Sequence, residues 1–130
     1  MIDIENLIFN RIATILRSNY SPISVYGEFV RAPAIFPCVT IEEKDNFTYE
    51  RTQTDTENHV SVMYEVNVYS NLTKRKKSQC KAIFGLIDNE MQLMGFTRVM
   101  VDTFPDEDIY RMIGRFRAVV SNGHKIYRRY

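Results

Sequence analysis

Apolar residues recur along this chain with two periods, and the switch from one to the other marks where helix gives way to strand. Over residues 3–18, Ile4, Leu7, Ile8, Ile12, Ile15 and Leu16 fall three or four apart. That spacing gathers side chains on one face of an α-helix. Asp3 and Glu5 near its start and Arg11 and Arg17 towards its end complement the partial charges of the helix dipole. Asn19 to Pro22 is expected to terminate the helix, because Pro22 lacks an N–H and restricts the residue before it. Residues 23–37 are punctuated by Gly27, Pro33 and Pro37. They read mostly as extended loop, with Ile23-Ser24-Val25-Tyr26 a candidate short strand.

A period of two takes over from Cys38. Val39 and Ile41 alternate with Thr40 and Glu42, which predicts a strand to Lys44. The polar segment Asp45–Asn58 is expected to be either a long hairpin tip or a mobile loop. The clearest strand is His59–Tyr69. Val60, Val62, Tyr64, Val66 and Val68 share one face, and Ser61, Met63, Glu65, Asn67 and Tyr69 share the other. The first face is expected to pack on helices. The second, with Met63 and Tyr69, is a candidate contact with another chain.

A second helix is predicted from an N-cap at Thr73 to about Met94. Its core stripe is Cys80, Ile83, Phe84, Ile87, Met91 and Met94, and Gly95 suits the left-handed residue that ends it. Phe96–Phe104 reads as a strand, Pro105 and Asp106-Glu107-Asp108 as a turn, and Ile109–Ser121 as a long strand. Asn122-Gly123 is a strong hairpin signal. His124–Tyr130 is then either a returning strand or a free basic tail. Short turns between neighbouring strands favour antiparallel pairing. The pattern therefore predicts one α+β domain over 1–130, a mainly antiparallel sheet with two helices packed on one face.

Composition fits a globular domain, with 45% apolar and 25% charged residues. Apolar runs of a few residues are far short of the ~20 that a membrane-spanning helix needs. The start Met-Ile-Asp-Ile-Glu lacks the basic flank and apolar stretch of a secretory signal, so an intracellular protein, or one that leaves the cell only by lysis, is expected. Cys38 and Cys80 form no Cys-x-x-Cys pair and read as reduced, buried thiols.

Candidate chemistry is sparse. The five glycines, Gly27, Gly85, Gly95, Gly114 and Gly123, are too scattered for a phosphate loop. His59 and His124 lack neighbouring metal ligands in sequence. Glu42 and Glu43, adjacent on a strand, point to opposite faces and cannot form a facing acid/base pair. Asp102, Asp106 and Asp108 read as a solvated turn rather than a cation site. Neither an enzyme nor a cofactor is expected.

Charge is more informative than chemistry. The net charge is only +1, yet opposite signs are segregated along the chain. Acids concentrate in Glu42, Glu43, Asp45, Glu50, Asp55 and Glu57, interrupted by Lys44 and Arg51, and again from Asp102 to Asp108. Bases concentrate in Lys74, Arg75, Lys76 and Lys77 at a helix start, and in Arg111, Arg115, Arg117, Lys125, Arg128 and Arg129. Such segregation suits head-to-tail contact between copies, which closes into a ring when the rotation allows. The basic run alternatively suits nucleic acid, although interleaved aromatics and a known binding motif are missing from it.

The chain resembles the small tail-terminator, or tail-completion, proteins of tailed phages and of phage-tail-like bacteriocins. The likeness runs over nearly the whole length. It begins with an opening helix, the strand entry Phe36-Pro37-Cys38-Val39-Thr40-Ile41 and a polar loop. Tyr64–Asn71 and a helix ending in Gly95-Phe96 follow, then Tyr110–Val120 with Arg115-Phe116-Arg117, then Ile126–Arg129. The resemblance implies a hexameric ring that caps the tail tube, stops tube and sheath polymerisation, and presents a joining surface to the head connector. It also implies that residues 45–58 and 74–77 face a neighbouring subunit or the tube, with Lys125–Tyr130 engaging the sheath or the connector. A head-side neck adaptor is the alternative within virion assembly.

Overall fold

In the computed structural model, residues 1–31, 33–51, 57–121 and 126–127 are described. The chain runs α1 (Glu5–Asn19), β1 (Ser24–Tyr26), β2 (Cys38–Arg51), β3 (Glu57–Ser70), α2 (Lys76–Met94), β4 (Thr97–Pro105), β5 (Tyr110–Ser121) and β6 (Ile126–Tyr127). One sheet forms in the order β1-β2-β3-β5-β4, and β6 takes the end of the β5 edge that β4 leaves free. All pairings are antiparallel except that of β1 with β2. The fold is α+β with both helices on one face of the sheet.

Helix α1 buries Ile8, Ile12, Ala13 and Leu16, the inner stripe of the three-to-four spacing. Helix α2 buries the six residues of its predicted stripe. They meet the alternate residues Val60, Val62, Tyr64, Val66 and Val68 of β3, with Val39, Ile41, Phe116 and Val120 beside them. Tyr64 meets Phe96 edge to face with ring centroids 5.5 Å apart, and Phe84 stacks on Phe116 at 6.0 Å. Arg11 of α1 pairs with Glu90 of α2 at 3.1 Å, and Arg98 of β4 with Asp88 of α2 at 3.2 Å. Both thiols are fully buried and free. Burial raises the Cys80 thiol to about 12.

Three segments are settled more narrowly than, or against, the sequence reading. First, Ser24–Tyr26 is a strand, and it pairs parallel with Cys38–Thr40. A parallel neighbour cannot be reached by a tight turn. The loop character of residues 27–37 is therefore that of a return connection. Second, β2 does not stop at Lys44. It continues to Arg51, with a register shift between Glu43 and Asp45, so of the two readings of 45–58 the long hairpin holds for the described part. Third, Thr73 does not cap α2. Residues 73–75 form a turn closed by the Arg75 N–H donating to the Leu72 carbonyl at 3.2 Å, with Lys74 at φ 67°. The helix opens at Lys76 without a side-chain cap. At its other end Gly95 takes φ 111°, and the N–H groups of Gly95 and Phe96 donate to Gln92 and Met91, the expected left-handed stop. The Asn122-Gly123 turn lies outside the described residues, and Ile126–Tyr127 returns along β5.

Candidate functional site: the helix-free face of the sheet

Among the described residues the second face of the sheet carries no helix, and the alternation of β3 and β5 decides what it displays. Residues Ser61, Met63, Glu65, Asn67 and Tyr69 stand opposite Val119, Arg117, Arg115, Ile113 and Arg111. Three arginines two or four residues apart on one strand therefore project side by side. Each lies across β3. Arg115 donates from Nε and Nη2 to Glu65 Oε1 at 3.2 and 3.1 Å. Arg117 donates to Ser61 Oγ at 3.0 Å and lies 3.8 Å from Asp45 Oδ2. Arg111 donates from Nε and Nη2 to Asn67 Oδ1 at 2.9 and 2.7 Å. Lys44, the extra residue at the β2 register shift, reaches both Glu42 and Glu65. Its hydrogen bond to Glu42 holds the ammonium pKa above the ordinary value.

Aromatic rings surround these cations. The Arg111 guanidinium lies 5.5 Å from the ring centroid of Phe29, 5.6 Å from Tyr69 and 5.3 Å from Phe104, and that of Arg117 lies 5.6 Å from Phe47. Phe29, Phe47 and Phe104 are about half exposed. The candidate contact residues Met63 and Tyr69 are covered instead, only 9% and 5% exposed. Their own chain's arginines lie over them, so the surface offered outward consists of guanidinium groups and phenylalanines. That pairing is typical of protein contact surfaces, where Arg and aromatic residues are enriched. Two of the three arginines, Arg115 and Arg117, already face carboxylates, Glu65 and Asp45. The face is accordingly less cationic than its sequence suggests and offers little to a phosphate backbone.

The residues singled out from sequence fall at two ends of the molecule. Lys74, Arg75, Lys76 and Lys77 gather where β3 gives way to α2, at the turn, the cap position and the first helical turn. They are not simply a free patch, because Lys76 Nζ donates to the Glu107 carbonyl of the acidic turn. Glu50, Arg51 and Glu57 stand at the other end of the β2–β3 ladder, where Glu50 pairs with His59 and Arg51 with Glu57. Asp55, Arg128 and Arg129 lie outside the described residues. Some 13 residues of β3 separate the two groups, about 40 Å of strand, so they do not form one site. Sequence reasoning grouped Arg111, Arg115 and Arg117 with the C-terminal bases but missed that they form a row. The available signal was their even spacing on a strand, opposite the polar alternation Ser61, Glu65, Asn67.

Among the described residues, no group of three or more His, Cys, Asp or Glu side chains is placed to hold a metal ion. No described helix is long and apolar enough to cross a membrane. No protein-family model matches the sequence, and no curated protein matches it.

Proposed function

We propose that this chain is a structural subunit of a ring that caps the tail tube of a phage or phage-tail-like particle. The ring ends polymerisation of tube and sheath and offers the head connector a joining surface. In this reading the chain works in the virion neck as a homo-oligomer, most simply a hexamer, without catalysis or cofactor. The observation that carries it is the helix-free sheet face, where partly neutralised arginines and half-exposed phenylalanines suit a protein partner better than a substrate. The placement of Lys74–Lys77 at one end of β3, with Glu50 and Glu57 at the other, adds support. Complementary charges that cannot meet within one chain favour head-to-tail contact, the geometry from which rings close.

The test is the mass and symmetry of the purified chain, by light scattering and negative-stain electron microscopy across a range of salt. A sixfold ring that loosens as salt rises is the expected result. A twelvefold ring favours a neck adaptor instead, and a monomer indifferent to salt sinks the proposal. Deleting residues 125–130 addresses the tail end separately: normal tail length and normal head joining in that mutant remove the segment from the contact.

A further inference from the structure

Arg111 differs from the other two arginines of its row. Arg115 faces Glu65 and Arg117 faces Asp45, whereas among the described residues no carboxylate pairs with Arg111, whose hydrogen bonds go to the neutral amide of Asn67. Asn67 fixes the plane of the guanidinium without neutralising it. Two of its five N–H groups are spent on Asn67 Oδ1, which leaves the rest for a ligand. The group forms part of the wall of an open cavity of about 340 Å³, which Arg31, Tyr69, Phe104 and Asp106 also line. Two guanidinium groups against one carboxylate leave this cavity with excess positive charge. That carboxylate is partly engaged, since Asp106 Oδ1 accepts the Glu107 N–H at 2.8 Å.

A second observation points the same way. Tyr69 is 5% exposed, and its buried hydroxyl has no hydrogen-bond partner. Buried hydroxyls are nearly always paired, and leaving one unpaired destabilises the isolated chain. A cation that no described carboxylate pairs with and a phenol without a hydrogen-bond partner thus belong to two residues lining one cavity, and one anionic acceptor suits both. A carboxylate accepts from both, and the half-exposed ring of Phe104 lies beside it on the cavity wall.

We propose that the Arg111–Tyr69 cavity is a carboxylate-binding site, filled by an acidic side chain from the β2–β3 hairpin end of a neighbouring copy. The inference rests on the ring reading for its occupant. In sequence that end carries Glu50, Asp55 and Glu57 against Arg51, a net acidic segment. The end lies far along β3 from Tyr69, so a chain cannot fill its own cavity. The contact joins two different surfaces on two copies, the heterologous arrangement that a ring requires. The carboxylate bridges Arg111 and Tyr69, while Phe29 and Phe104 shield the pair from water and strengthen it.

The experiment compares self-association of the full chain with that of Tyr69→Phe, Arg111→Gln and the double variant Glu50→Gln/Glu57→Gln, by sedimentation over a concentration series. Tyr69→Phe removes only the hydroxyl, so the isolated chain should be as stable as wild type or more so. Its assembly should nevertheless weaken about fivefold, the loss of one hydrogen bond. Arg111→Gln and the double glutamate variant should each weaken assembly by roughly tenfold or more, as expected for a charge-assisted contact. Combining Arg111→Gln with the glutamate variant should add little further loss. Wild-type rings that form equally well in all three variants overturn the cavity proposal and leave the ring reading standing. Assembly into some other complex that still depends on Arg111 and Tyr69 keeps the cavity and removes the ring. A wild-type chain that stays monomeric at every concentration overturns both.

Discussion

Glu43 sits where β2 passes beneath the start of α1, among groups that do not welcome a second negative charge. Burial raises its carboxyl pKa above the ordinary 4.5, and Asp3 and Glu5 add to the rise. The Tyr64 hydroxyl, which donates to Oε1 at 3.1 Å, and the Asn46 amide at 3.4 Å only partly offset it. The folded chain therefore binds this proton more tightly than the unfolded chain. The stabilisation is complete below the unfolded carboxyl pKa and is lost as pH rises through the folded value. Glu43→Gln keeps an acceptor for Tyr64 and removes the charge. Its melting temperature should exceed wild type at neutral pH and match it in acid, where Glu43 is itself protonated. A variant less stable than wild type at neutral pH would contradict this account. The opposed directions of Glu42 and Glu43 were legible from strand alternation alone: Glu42 engages Lys44 and Glu43 engages Tyr64. The particular partners were not, because cross-strand partners depend on a register that shifts at Lys44.

Among the elements, α2 and β5 come together through one small residue. A Cβ built on Gly114 would stand 2.5 Å from Phe84 Cε2, with Met100 O at 3.5 Å. Phe84 is 3% exposed and stacked on Phe116, so its ring cannot step aside cheaply. Gly114→Ala should therefore lower stability by about 1–3 kcal/mol. The drop should appear as a lower denaturant midpoint at unchanged slope. Adding Phe84→Leu should recover part of it, since residues in contact do not act independently.

Periodicity revealed α1, α2, β3 and β5 because each has one face in the core. It failed for the outer half of β2, where Asp45, Asn46, Phe47 and Thr48 pair with β3 in a polar run. Apolar alternation reports burial, and a strand can be fully hydrogen-bonded without it. It failed also at Thr73, where a good capping side chain precedes a turn that Lys74 completes in the left-handed region.

At the scale of the whole molecule, both helices and the sheet draw on a single cluster of buried side chains, from Ile2 to Val120. Nothing in that cluster can open without exposing the rest, so the isolated chain should unfold in one step. Its eight tyrosines and lack of tryptophan make near-ultraviolet dichroism a reporter of packing, to be set beside the far-ultraviolet signal of the backbone. The two midpoints should coincide, and a displaced near-ultraviolet transition would mean that part of the fold melts separately.

Among the described residues the sheet is not closed, and β4 at its end pairs on one side alone from Thr97 to Pro105. An unpaired row of N–H and C=O groups is a template on which another strand can grow. Several features stand against uncontrolled growth here. The register shift between Arg98 and Met100 breaks the regular spacing, Pro105 ends the row without a donor, and Arg98 and Asp102 place charge beside it. Val99 and Val101 nevertheless remain more than a third exposed within it. The margin against fibrous aggregation in this chain thus rests on a bulge, two charges and a proline. Any engineering that straightens or neutralises that border would trade solubility for length of sheet.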